Sequence, residues 1–343
     1  MNLDFLKQLS EIPGVPGREE RVRELIERHA KKHFDKTVTD AMGSLICTKK
    51  PKGRKLPKVL IACHIDEIGF YVRHIDDKGF LRLNNVGGFD TRNLFARRVK
   101  VQTTGGEELL GLMNPSGRPI HIAKEEEKKK VPEMGEFLVD LCIPAEQVKA
   151  KVKIGDPVTL VQDFAEIGDV VTGKCLDNRV ASFVVLEALA RASRNLKYEL
   201  TVAFTVQEEV GLRGAGPAAH SVRPDIAIAL DTTLCCDIPG IPDDERVTQH
   251  GKGVAIKIMD GSSISDRSLV DQFVTVAAGK SIPVQLAILP RGGTDAGAMQ
   301  RSRDGIKTIT IGIPTRYIHT VTESIHKTDL QAAIDLLAAW LTT

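Results

Sequence analysis

The chain has 343 residues, 42% hydrophobic and 27% charged, which excludes wholesale disorder and collagen-like structure. That length fits about two domains, or one large core carrying an insertion. With 47 Lys and Arg against 45 Asp and Glu, the net charge of +2 gives no reason to expect a nucleic-acid or membrane surface.

The longest apolar runs, such as 226–230 and 336–341, fall far short of the ~18 residues a spanning helix needs. The first residues, Met1-Asn2-Leu3-Asp4-Phe5-Leu6-Lys7, lack an apolar signal region. The six cysteines, at 47, 63, 142, 175, 235 and 236, are too sparse for a disulfide scaffold, and none forms a C-x2-C pair. They are expected to be reduced and mostly buried, in a cytoplasmic protein.

In chain order, helices are expected over 2–10 and 18–34. Val22, Leu25, Ile26 and His29 recur at helical spacing in the second. His29 and His33 share that helix, but no acidic third ligand accompanies them. The apolar, β-branched run 59–63 reads as a buried strand ending at His64. Residues 69–165 then change character. Short strand-like runs at 70–75, 80–86, 97–103, 108–113 and 157–161 are separated by turn signals, with no long helical pattern. A small all-β unit inserted into an α/β one is expected, with the charged run 124–130 as a solvated loop or short helix. From 180 the alternation returns: helix 180–192, strands 200–206 and 226–230, helix 266–278, strands 284–289 and 306–313, helix 326–341. Alternating strands and helices predict an α/β fold with a mixed, mostly parallel sheet covered on both faces. The organisation expected is 1–68 with 166–343 as one domain and 69–165 as the insert.

Open α/β sheets place ligands beyond the carboxyl ends of their strands. The strand at 59–63 is followed by His64-Ile65-Asp66-Glu67, and that at 200–206 by Gln207-Glu208-Glu209. The strand at 226–230 is followed by Asp231, and that at 306–313 by a segment reaching His319. Asp177-Asn178-Arg179 precedes the helix at 180. Two imidazoles and three carboxylates suit borderline divalent metals such as zinc. One carboxylate can bridge two ions, leaving a fourth free to act as general base. Adjacent Glu208 and Glu209 suit that division. The glycine-rich stretch 211–216 lacks the ending of a phosphate-binding loop and is expected to shape the turn carrying Glu209.

These segments, with Asp231-Thr232-Thr233, Arg291-Gly292-Gly293-Thr294-Asp295-Ala296 and Tyr317-Ile318-His319-Thr320, resemble in order the M42 family of metallo-aminopeptidases, the TET and glutamyl-aminopeptidase-like peptidases, some of which are described as endoglucanases. The resemblance spans nearly the whole chain. It implies a zinc-exopeptidase-type catalytic domain with a PDZ-like β insert used for dimerisation. It implies two divalent ions, Zn2+ or Co2+, one held by His64 and Asp231, the other by Glu209 and His319, with Asp177 bridging. Glu208 would be the general base and Asp66 would orient His64. The bond after Asp177 would be cis. Arg291, Gly292, Gly293, Thr294 and Asp295 would wall the active site. Arg316 and Tyr317, just before His319, are candidates to line the substrate pocket, and a structural ion pair is the equal alternative for Arg316. Peptides would be the substrates, and dimers would build a tetrahedral dodecamer.

Cys63 and the Cys235-Cys236 pair depart from the pattern and raise the expectation of oxidation sensitivity. The rival readings are the same site acting on N-acylated peptides or another amide or glycan, and a non-catalytic scaffold. A scaffold predicts damage to the ligand set or to Glu208, and neither is damaged.

Overall fold

In the computed structural model, which describes residues 1–51, 56–192 and 195–343, the core is organised around strand Lys58–His64. Only its first residue is exposed. Successive side chains of a strand point to opposite faces. Val59, Ile61 and Cys63 therefore enter one core, with Val180, Val184 and Leu337. Leu60 and Ala62 enter another, with Ala203, Ala219, Ala227 and Ala229. Helices Leu176–Ala192 and Lys327–Thr342 cover the first face. The alanines of the second let two short helices, Ala215–Val222 and Asp295–Gln300, pack close.

The sheet runs Lys36–Thr39, Leu45–Lys49, Glu199–Thr205, Lys58–His64, Ile226–Leu234, Lys307–Arg316, Glu323–His326, Val170–Gly173, Ala165–Ile167. Val254–Met259 also pairs with Lys307–Arg316 and carries Val284–Ile288 beyond it. The centre is parallel, with Thr205 beside His64 and Asp231 beside Gly312. Those strands deliver their carboxyl ends to one rim.

The expectation of a mostly parallel sheet holds for that centre and for the outer pair Val254–Met259 and Val284–Ile288, not for the rest. Among the described residues four strand pairings are parallel and six antiparallel. The flanking strands at 36–39, 45–49, 165–167, 170–173 and 323–326 are short and half polar, so the sequence pattern passed over them.

Between the two parts of this sheet the chain closes a separate barrel of six strands, all antiparallel neighbours. They are Gly69–Ile75, Leu81–Val86, Phe137–Asp140, Glu108–Pro115, Arg97–Gln102 and Pro157–Leu160. Phe70, Leu81, Val99, Met113, Phe137 and Val158 fill its interior. Closure removes the unpaired edges a small sheet would otherwise expose. Strand Phe137–Asp140 and helix Ala145–Lys151 were not anticipated. Each is too short to show a period.

Candidate active site

His64 is the last residue of its strand and is buried, its side chain 2% exposed. Its Nε2 lies 3.3 Å from Asp177 Oδ1, 3.8 Å from Asp231 Oδ1 and 3.9 Å from Glu208 Oε2. The other oxygen of Asp177 turns away, 3.7 Å from His319 Nε2, which is 3.3 Å from Glu209 Oε2. Asp177 thus stands between two groups, His64–Asp177–Asp231 and Asp177–Glu209–His319. In each, the candidate ligand atoms lie within 4.8 Å of one another. The Asp177–Asn178 peptide bond is cis, and the Asn178 amide donates to Leu230 O at 2.9 Å.

The turn carrying Glu208 and Glu209 is fastened by carboxylates. The Glu208 and Glu209 N–H groups donate to the two oxygens of Asp66, each at 3.1 Å. The Gln207 N–H, in a residue at φ +57°, donates to Glu19 Oε1 at 3.2 Å. Asp66 Oδ1 also lies 3.5 Å from His64 Nδ1, longer than a good hydrogen bond. Its firmer contacts are therefore to the Glu208–Glu209 turn. The glycines then act as expected. Gly211 adopts φ +124°, and a Cβ at Gly214 would sit 2.6 Å from Val206 O.

The electrostatics are those of crowded, buried acids. Burial, with the charges of Asp231, Asp295 and Glu209, pushes the Glu208 carboxyl well above the usual range against the pull of His64. Burial pushes Asp231 up to about 8, and Asp177 adds to it. Burial also raises Glu209. Asp177 is held low despite burial, by its contact with His64. Burial works against the charge on His319, yet Glu209 and Asp177 lift it to about 10. Ionised together, Asp177, Asp231, Glu208 and Glu209 would carry more negative charge than His64 and His319 offset, which is why burial and mutual repulsion resist it. Oxygen and imidazole donors arranged as two triads around a shared carboxylate fit two divalent cations, which would relieve that excess.

The site opens into a cavity of about 610 Å3. Arg291, Gly292, Gly293 and Thr294 line it. Asp295, Arg316 and Tyr317 do not. Asp295 is buried beneath the wall, accepting from Thr205 Oγ1 at 2.5 Å. Arg316 is committed to a two-pronged pair with Asp237, 2.7 Å at each bond. Tyr317 lies outside the cavity lining and is 49% exposed.

Polar residues missed from the sequence include Lys257 and Glu323. Lys257 lines the cavity at 1% exposure, its ammonium donating to Thr232 O at 3.3 Å. Glu323, equally buried, accepts from the Asp177 and His319 N–H groups. A lone lysine inside a strand and a glutamate at the start of one carry no motif to find them by.

A family model described as M42 glutamyl aminopeptidase matches residues 43–336. The chain belongs to that family. It is 38% identical over 335 residues to a putative aminopeptidase of Acetivibrio thermocellus, covering 97% of this chain and 96% of the relative. It is 30% identical to a lysyl aminopeptidase of Pyrococcus furiosus, covering 98% of this chain and 96% of that one. Among solved structures it is similar to the TET1 peptidase of Pyrococcus horikoshii, which can assemble into a tetrahedron or a large octahedral shell. The TM-score there is 0.87 at 33% identity, over 99% of this chain and 98% of the other. As an M42 chain it is an enzyme, a peptidase acting on N-terminal residues.

The cysteines of this M42 chain are free, and Cys235 and Cys236 are not bridged. Burial pushes the Cys63 thiol far up and the Cys235 thiol to about 12, the latter helped by Asp237. Oxidation proceeds through the thiolate, so the expected sensitivity finds no support at these two positions. Among the described residues no helix is long and apolar enough to cross a membrane.

Proposed function

We propose that this chain is a two-metal aminopeptidase that removes N-terminal residues from short peptides. The observation that carries the reading is Asp177, whose two carboxylate oxygens face two different imidazoles, each in its own triad of candidate ligands. His64 and Asp231 would hold one ion, Glu209 and His319 the other, and Asp177 would be shared. When bound, Zn2+ or Co2+ would polarise the scissile carbonyl and acidify a water molecule. Glu208 belongs to neither triad, yet its carboxylate reaches the same space, 3.9 Å from His64 Nε2. In this reading it would take a proton from the attacking water and return it to the leaving amine. Asp66 fixes that carboxylate by gripping the backbone beneath it. The Arg291–Thr294 wall would bound the bound peptide on one side.

The chain is read as two units, 1–68 with 166–343 carrying the chemistry and 69–165 serving as a PDZ-like self-association unit. Leu110 and Leu112 stand exposed on the barrel's outer surface and suit a buried contact between copies. Dimers, and a tetrahedral dodecamer built from them, are the expected states. Sedimentation velocity reads this directly, and a monomer at micromolar concentration would remove the proposal.

The activity is tested on chelator-stripped protein restored with Zn2+ or Co2+, against free and N-acetylated aminoacyl-p-nitroanilides. Metal-dependent cleavage of the free amines alone is expected, and the best side chain names the substrate class. Cleavage of the acetylated set would replace this reading with a deblocking one. Cleavage of neither set by protein that binds metal would rule out simple aminopeptidase action.

A further inference from the structure

We propose that Glu323 is a positioning residue that sets the second metal position by holding the backbones of Asp177 and His319 at a fixed separation. The inference rests on the two-metal reading above.

Asp177 and His319 both lie beyond the ends of strands, where no ladder hydrogen bonds hold them. His319 adopts φ +62° and follows Lys307–Arg316 by three residues. Asp177 lies in a non-helical stretch, four residues after strand Val170–Gly173. The short strand Glu323–His326 sits between those two strands, pairing Glu323 with Gly173 and Ser324 with Arg316. That register brings the Glu323 side chain between the two loops. Its Oε2 accepts from the Asp177 N–H and its Oε1 from the His319 N–H, each at 2.9 Å. The residue is 2% exposed, so water does not compete for either bond.

Glu209, the third member of the second group, has separate support from Asp66. In the first group, His64 is held by its strand, and Asp231 Oδ1 accepts from the Thr232 N–H at 2.8 Å. Of the two residues that Glu323 holds, His319 serves the partly exposed, loop-borne half alone, whereas Asp177 serves both halves. A carboxylate offers an acceptor at both oxygens, whereas an amide offers one acceptor and one donor group. Glu323→Gln, of the same size, must present N–H to one of the two backbone donors. Either Asp177 or His319 is then released.

The test is a Co2+ titration of chelator-stripped full-length protein, read by visible absorption and by metal analysis. Wild type is expected to take up two ions in two steps. Glu323→Gln should weaken the second step by ~10–100-fold, the size seen for supporting residues behind metal ligands, and the first step less, because only the second position depends on His319 as well as Asp177. An unmoved second step would overturn the proposal. So would equal weakening of both steps, since that is what general loss of packing predicts. If the Gln variant does not fold, Glu323→Asp replaces it. Its shorter stem reaches only one loop, and the same two results decide. Wild-type protein that binds fewer than two ions would sink the two-metal reading, and this inference with it. A two-ion protein with an unchanged variant sinks this inference alone.

Discussion

The two halves of the centre are built differently. His64 and Asp231 belong to adjacent parallel strands and are almost fully enclosed. Glu209 and His319 stand on turns beyond strand ends, and the His319 side chain is 36% exposed. The sheet places the first half, and a secondary set of carboxylates places the second. Asp66 holds the Glu208–Glu209 turn, and Glu323 holds the His319 loop. Regular structure supplies rigidity through its own ladder, while loops must borrow it from side chains. The first position should accordingly bind its ion more tightly and surrender it last to chelator.

The strongest test of that division is Asp177→Ala, which removes the carboxylate common to both halves. Metal analysis should then show low occupancy at both positions and peptidase activity at background. Full occupancy would mean that Asp177 does not bridge. Glu208→Gln should instead lower kcat by ~10²–10⁴-fold while both ions remain, because the base lies outside both groups. Retained activity would remove the role. His319→Ala should convert a two-step metal titration into one step, sparing the enclosed half. Loss of both ions would show that the halves are not separable. The smallest effect is expected at Arg316, whose pairing with Asp237 takes it out of the site. Arg316→Ala should leave metal content and kcat near wild type and lower stability by about 1 kcal/mol, read by denaturant titration. A large change in KM would restore it to the pocket.

The enclosed half was the more legible in the sequence. A continuous apolar strand that stops at a polar residue marks a rim, and His64 and Asp231 stand at two such stops. Glu208 and Glu209 were visible for the same reason. Glu323 and Glu19 were not, because each ties in a backbone group far away in sequence, 146 residues for Asp177 on Glu323 and 188 for Gln207 on Glu19. Arg316 was left open between the pocket and an ion pair because its partner, Asp237, is 79 residues distant. Spacing from His319 gave no hint of it. The fold shows the same division. Most buried strands and the long helices were readable, but Val254–Met259, broken by Lys257, was not. The short flanking strands and the helices at 215–222 and 295–300 span too few residues for a period to emerge.

The most direct measurement of the central claim is the number of ions bound per chain, followed alongside peptidase activity as Co2+ is returned to stripped protein. Two ions per chain, taken up in two steps, with cleavage of free aminoacyl substrates appearing as the ions bind, is the predicted result. A single ion at saturation, or undiminished cleavage by stripped protein, would contradict it.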